Sequence, residues 1–172
     1  AEERPLPKSQ SCSPHRAGHL DKVVSYTTHL RCMKVDLRSE PHANAMVINC
    51  RVVGWDLHKV LVDNGSQADI IFLHAFDRMG ISHNLLKPSD NPLYGFGGKG
   101  TFPVDKIELP LSFGAANAGS KQINFDIVDM VYPYNAIMRH GSINKFEAAI
   151  HGLYLCMKIP SPQGVITIYG DQ

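Results

Sequence analysis

Apolar and polar positions alternate with a period of two along much of this chain. Met46, Ile48, Cys50 and Val52 alternate with Val47, Asn49 and Arg51, the pattern of a half-buried strand. Gly54-Trp55 supplies a turn and residues 57–62 return as a second strand, which predicts a hairpin. Asp63-Asn64-Gly65-Ser66 interrupts the apolar run and Ile70-Ile71-Phe72 resumes it. Residues 74–79, closed by Gly80, predict one or two helical turns, because glycine favours a helix C-terminus. Ile107, Leu109, Leu111 and Phe113 form one more alternating strand, in which Pro110 points to a sheet edge. Ile123, Phe125 and Ile127 form another. The apolar run Ala136-Ile137-Met138 precedes a predicted helix over 143–150, and residues 153–159 and 165–169 close the chain as strands. Many short strands joined by Gly and Pro turns, with little helix, define an all-β barrel or sandwich.

Residues 1–40 break from this pattern. Pro5, Pro7 and Pro14 punctuate a polar, charged stretch, which reads as a flexible linker with at most a short strand or helical turn over 26–35. The opening residue is not Met, so the chain is read as cut from something longer, with a folded domain over 41–172. No apolar stretch near the start suggests a signal peptide, and no run approaches the roughly 18 residues of a membrane span.

Composition narrows the picture further. Hydrophobic residues make up 44% of the 172, enough for a true core. Seventeen Lys and Arg against sixteen Asp and Glu leave a net charge of +1, which argues against a nucleic-acid or acidic-membrane coat. Cys12, Cys32, Cys50 and Cys156 are far apart and contain no C-x-x-C, so reduced thiols in a cytosolic-type compartment are expected. Cys12, His15, His19 and Cys32 lack zinc-site spacing, and no metal is expected.

One segment carries candidate chemistry. Val60-Leu61-Val62-Asp63-Asn64-Gly65-Ser66 sets an acid at the end of an apolar strand. Asp, Asn and Gly are ordinary turn residues, so a plain turn is the simple reading. Its flanks favour more: three apolar residues precede Asp63, and Ala68, Ile70, Ile71 and Phe72 follow. A carboxylate framed by core strands is partly desolvated, the setting in which acids are tuned for catalysis.

From His42 to the end the sequence resembles the retropepsin-like aspartic proteases of plant gypsy-type LTR retrotransposon polyproteins. The matching blocks are residues 42–48, Leu61-Val62-Asp63-Asn64-Gly65-Ser66, Ala68-Asp69-Ile70-Ile71-Phe72 and Pro92-Leu93-Tyr94-Gly95-Phe96. Tyr134-Asn135-Ala136-Ile137, residues 155–160 and Gly170-Asp171-Gln172 complete the series, and their order and spacing make it specific.

The resemblance implies a small closed β-barrel of the retropepsin type with one or two short helices, needing no cofactor. It makes Asp63 catalytic, in a site that two chains must complete as a homodimer. It assigns Asn64 to a link between chains, Gly65 to close backbone approach, and Ser66 to a hydrogen bond on the outer oxygen of Asp63. It places a flap over the substrate at Tyr94, Gly95, Phe96, Gly97 and Gly98. That run lacks the G-K-[ST] and the strand-loop-helix context of a phosphate loop. The implied substrate is a polypeptide, a Gag-Pol polyprotein, cut in the cytoplasm or in a virus-like particle.

One block departs from the family. Where relatives read Gly-Arg after Ile137-Met138, this chain has Arg139-His140. A side chain at 139 is expected to crowd the catalytic turn. Arg139 is also expected to take over a carboxylate partner, Asp69, because His140 is a poorer fork. An active endopeptidase is therefore set against a decayed or co-opted copy that keeps the fold without turnover and acts only as a dimerisation or peptide-binding module. A third reading, a barrel that binds peptide or nucleic acid, finds no support in the charge.

Overall fold

A computed structural model describes residues 45–89, 91–94, 100–114 and 119–171. The linker over 1–40, the Cys12/His15/His19/Cys32 group and flap residues Gly95, Phe96, Gly97 and Gly98 lie outside the described residues.

The alternating stretches become strands with one face in the core. β1 (Val47–Val52) buries Ile48, Cys50 and Val52 and exposes Asn49 and Arg51. It pairs antiparallel with β2 (Trp55–Asp63). Val52 faces Trp55, so the hairpin loop is Val53-Gly54, and Trp55 belongs to the strand rather than the expected turn. Both loop residues have positive φ, 51° and 82°, because a two-residue loop must follow the twist of its strands. Gly54 takes that conformation freely, whereas β-branched Val53 does not. Val53→Asn is therefore expected to stabilise the protein by about 1 kcal/mol. Thermal unfolding checks this, with a rise in Tm of about 3–5 °C expected and no rise against it.

After the turn at residues 63–66 come β3 (Asp69–Phe72) and helix α1 (Leu73–Arg78), with Gly80 at φ 65° just beyond. β4 (Leu93–Tyr94) and β5 (Gly100–Thr101) form a two-stranded pair of their own. β6 (Asp105–Ser112) and β7 (Ser120–Val128) pair along their full length. β8 (Ala136–Arg139) then runs parallel to β2 and antiparallel to β3, while β3 runs parallel to β7. The order β1-β2-β8-β3-β7-β6 closes into a barrel.

Pro110 does not mark a sheet edge as expected, since β6 lies inside that barrel between β1 and β7. The proline is tolerated because β1 has ended beside it. Their ladder is only Arg51 with Ser112 and Val52 with Leu111, and the Pro110 carbonyl still accepts from Val53 N at 3.0 Å. The missing N–H falls on that open side.

The C-terminal part differs from expectation in two places. The helix is α2 (His140–Lys145), not 143–150, because Glu147 with φ 52° stops it and Ala149–His151 forms β9. Residues 153–155 are turn, and β10 (Cys156–Ser161) and β11 (Gly164–Tyr169) complete a three-stranded sheet with β9. One core unites these parts. Ile48, Val60, Ile71, Leu111, Ile123, Ile127 and Met138 from the barrel share it with Phe76, Ile143, Met157 and Ile159. Phe113 meets Phe146 edge-to-face at 4.8 Å. Cys50 is buried in it, and desolvation pushes its thiol up to about 12, so it packs as an inert apolar group. Among the described residues no helix is long and apolar enough to cross a membrane.

Candidate active site

Asp63 is the last residue of β2, and parallel pairing sets it opposite Arg139, the last residue of β8. Two strands running the same way thus end side by side and deliver two chain reversals to one face. The first is tight. Ser66 N donates to Asp63 O at 3.3 Å, and Gly65 N donates to Asp63 Oδ1 at 2.8 Å. The carboxylate folds back on its own loop in the manner open to Asp in turns. Gly65 has a steric reason to be glycine, since a Cβ there would stand 3.3 Å from Asp63 Oδ1. Asp63 is half-buried and Asn64 is exposed beside it.

Ser66 departs from its expected role. Its hydroxyl donates to Ala68 O at 2.8 Å, not to Asp63, because the chain bends back within two residues and brings that carbonyl nearest.

Asp69 lies deeper, 2% exposed at the start of β3. Its carboxylate accepts from Ser142 Oγ at 2.6 Å, from Arg139 N at 2.9 Å and from Arg139 Nε at 3.0 Å. The Arg139 guanidinium continues to Gln67 O at 3.3 Å. Arg139 therefore spans from β8 to the loop that carries Asp63. It does not crowd that loop as expected, because its side chain lies along the face of Asp69. His140 is exposed and leaves the carboxylate to Arg139. Ser142, in the first turn of α2, is buried and completes the network. Sequence reasoning missed Ser142, for it stands 73 residues from Asp69 and no spacing motif marks it.

Burial pushes the Asp69 carboxyl up, and the Ser142 hydroxyl and the Arg139 donors oppose that rise. A carboxyl raised in the folded state contributes to stability fully below its unfolded value, near 3.8, and loses that contribution as pH rises through the folded value. The stability advantage of wild type over Asp69→Asn should thus be greatest below that value and shrink as pH rises. Thermal unfolding at about pH 3 and about pH 6 measures it, and a gap that widens with pH would contradict the assignment.

An open groove of about 550 Å³ runs past Asp63. Ala68, Ile70 and Ile137 line it together with Phe72, Val128, Met130 and Tyr132. Phe72 and Tyr132 stack with ring centroids 5.1 Å apart. Leu93, Tyr94 and Thr101 of the β4–β5 pair also line it. An extended apolar chain segment suits such a channel, whose lining includes one acid, Asp63. Met138 faces the core and Ile137 faces the groove, as alternation on β8 requires.

No protein-family model and no curated protein matches the sequence. Solved structures do. The retroviral protease-like domain of Ddi1 from Leishmania major is similar over 76% of this chain and 97% of that one, with 14% identity and a TM-score of 0.58. A retropepsin-like aspartic protease from Rickettsia conorii is similar over 72% of this chain and 81% of that one, with 16% identity and a TM-score of 0.47. The fold is the retropepsin-like fold: among the described residues, a closed six-stranded barrel with two short α-helices.

Proposed function

We propose that the chain is an aspartic endopeptidase working as a homodimer. The observation that carries this reading is Asp63, held by Gly65 N on a face where it lines an apolar groove. One chain brings one such carboxylate. Two copies meeting at this face bring two, and two carboxylates that close share a proton because both cannot ionise readily. The ionised member draws a proton from a water that attacks the peptide carbonyl. The protonated member stabilises the developing oxyanion, and a proton then passes to the leaving amine. The resemblance gives exposed Asn64 the bridge between the two chains and gives the segment of the β4–β5 pair the cover over the substrate.

The resemblance of the motif blocks supports a finer reading: a polyprotein of retrotransposon type is the substrate, cut in the cytoplasm or within a particle. The free, buried thiols of Cys50 and Cys156 suit a reducing compartment. Arg139 and His140, in place of the family Gly-Arg, are the ground for the alternative of a decayed or co-opted copy that folds and pairs without turnover, although Arg139 itself holds Asp69.

The test is direct. The purified chain is assayed on a peptide library at mildly acid pH, with its association state followed by light scattering. Pepstatin-sensitive cleavage whose specific rate falls as the dimer dissociates is the expected result. Absence of cleavage by a stable dimer, with cleavage gained in Arg139→Gly/His140→Arg, would establish the alternative.

A further inference from the structure

Asn135, in the segment just before β8, uses nearly every polar group it owns. Its backbone N–H donates to Lys59 O at 3.0 Å, and its Nδ2 donates to His58 O at 2.7 Å. Its backbone carbonyl accepts from Phe72 N at 3.0 Å. Its Oδ1 accepts from His74 Nε2 at 3.1 Å and from Arg78 Nη2 at 3.3 Å. One residue therefore joins β2, the end of β3 and both turns of α1.

The two carbonyls it grasps belong to an irregularity in the strand that carries Asp63. The β1–β2 register steps from Ile48–Val60 to Cys50–Leu57, so His58 and Lys59 together stand opposite Asn49. Lys59 has φ 55°, a left-handed conformation that a lysine keeps only where its surroundings fix it. The bulge turns two successive carbonyls toward β8, and Asn135 takes one with its main chain and the other with its side chain. The register begins at that point. Val60 pairs with Ala136 and, three steps on, Asp63 pairs with Arg139. On the other side of β8, Ala136 pairs with Ile71. A slip of one residue here turns every β8 side chain to the wrong face.

We propose that Asn135 is a positioning residue for the Asp63 site, fixing the register of β8 on β2 and β3 and so the place of Asp63. The proposal rests on the protease reading for its kinetic consequence, though not for its structural one. Asn135→Asp keeps the acceptor for His74 and Arg78 and removes the donor to His58 O. It is expected to lower kcat about 10- to 100-fold while KM stays within about twofold, as a displaced catalytic group does. Adding Lys59→Gly should recover much of that loss, because glycine holds the left-handed bulge without the clamp. Asn135→Ser, which also lacks the amide donors, is the second variant should Asn135→Asp fail to fold.

An unchanged kcat, a loss confined to KM, or no recovery with Lys59→Gly overturns the assignment. If the wild-type dimer cleaves nothing, it is the protease reading that fails, and amide exchange then decides the inference. Exchange in Asn135→Asp should quicken about tenfold at residues 60–63 and 136–139 and stay unchanged along β10 and β11. Uniform acceleration, or none, overturns it.

Discussion

Replacing Asp63 by Asn should reduce peptide cleavage by about a thousandfold or more, with folding and dimerisation intact. Asn is nearly isosteric, and its Oδ1 can still accept from Gly65 N, so the turn that seats it persists. On the proposed mechanism, what disappears is the ionisable oxygen that takes the proton of the attacking water. A steady-state assay with circular dichroism and light scattering on the same sample separates these effects. Retained cleavage in a correctly folded Asp63→Asn dimer would remove Asp63 from the chemistry. A mixing experiment sharpens the point. If each active unit needs a carboxylate from both chains, excess variant poisons wild type by drawing it into dimers with one functional Asp63. Activity per wild-type chain then falls as variant is added, an effect a one-chain enzyme does not show.

The second large effect is expected at Arg139. Removing one partner of a buried ion pair costs about 3–5 kcal/mol. Here the Arg139 side chain is 44% exposed, so solvent screens part of the attraction. Asp69 also keeps Ser142 Oγ and the backbone N–H of residue 139. Arg139→Ala should therefore cost about 2 kcal/mol, seen as a fall in Tm of about 5–8 °C. Lysine at 139 should recover only part of it, because its single ammonium cannot reach Asp69 Oδ2 and Gln67 O in the guanidinium's geometry. An Arg139→Ala protein as stable as wild type would show that β8 and the Asp63 loop are held by packing alone.

The barrel strands were legible because most are buried on one face. Ile48, Cys50 and Val52, or Ile107, Leu109 and Leu111, repeat every second residue where they line the core. Asp63 was legible because its turn is made by four neighbours in sequence. The C-terminal boundaries were not. Ile143, Phe146 and Ile150 read as one helix face, and only the left-handed backbone at Glu147, which no residue type announces, splits them into helix and strand. The pairing of Asp69 with Arg139 followed from the family resemblance, but Ser142 did not. Its hydroxyl meets Asp69 only because the barrel closes. Asn135 was visible as part of a motif, yet its partners lie on β2, β3 and α1, so its role emerged only from the fold.

The parallel pairing of β2 with β8 has a consequence for the order of events as the chain is made. β2 has its hairpin partner β1 close by in sequence, but Asp63 and its β8 partner Arg139 are far apart along the chain, and that long loop must close before the two strands meet. Closing a loop of that length is an entropic cost that sheets rich in distant contacts meet late in folding. A nascent chain ending before residue 139 has the Asp63 turn in its sequence but lacks the strand beside it. On the protease reading, the half-site is therefore withheld by topology until synthesis has passed β8, and cutting waits until this domain has emerged that far from the ribosome.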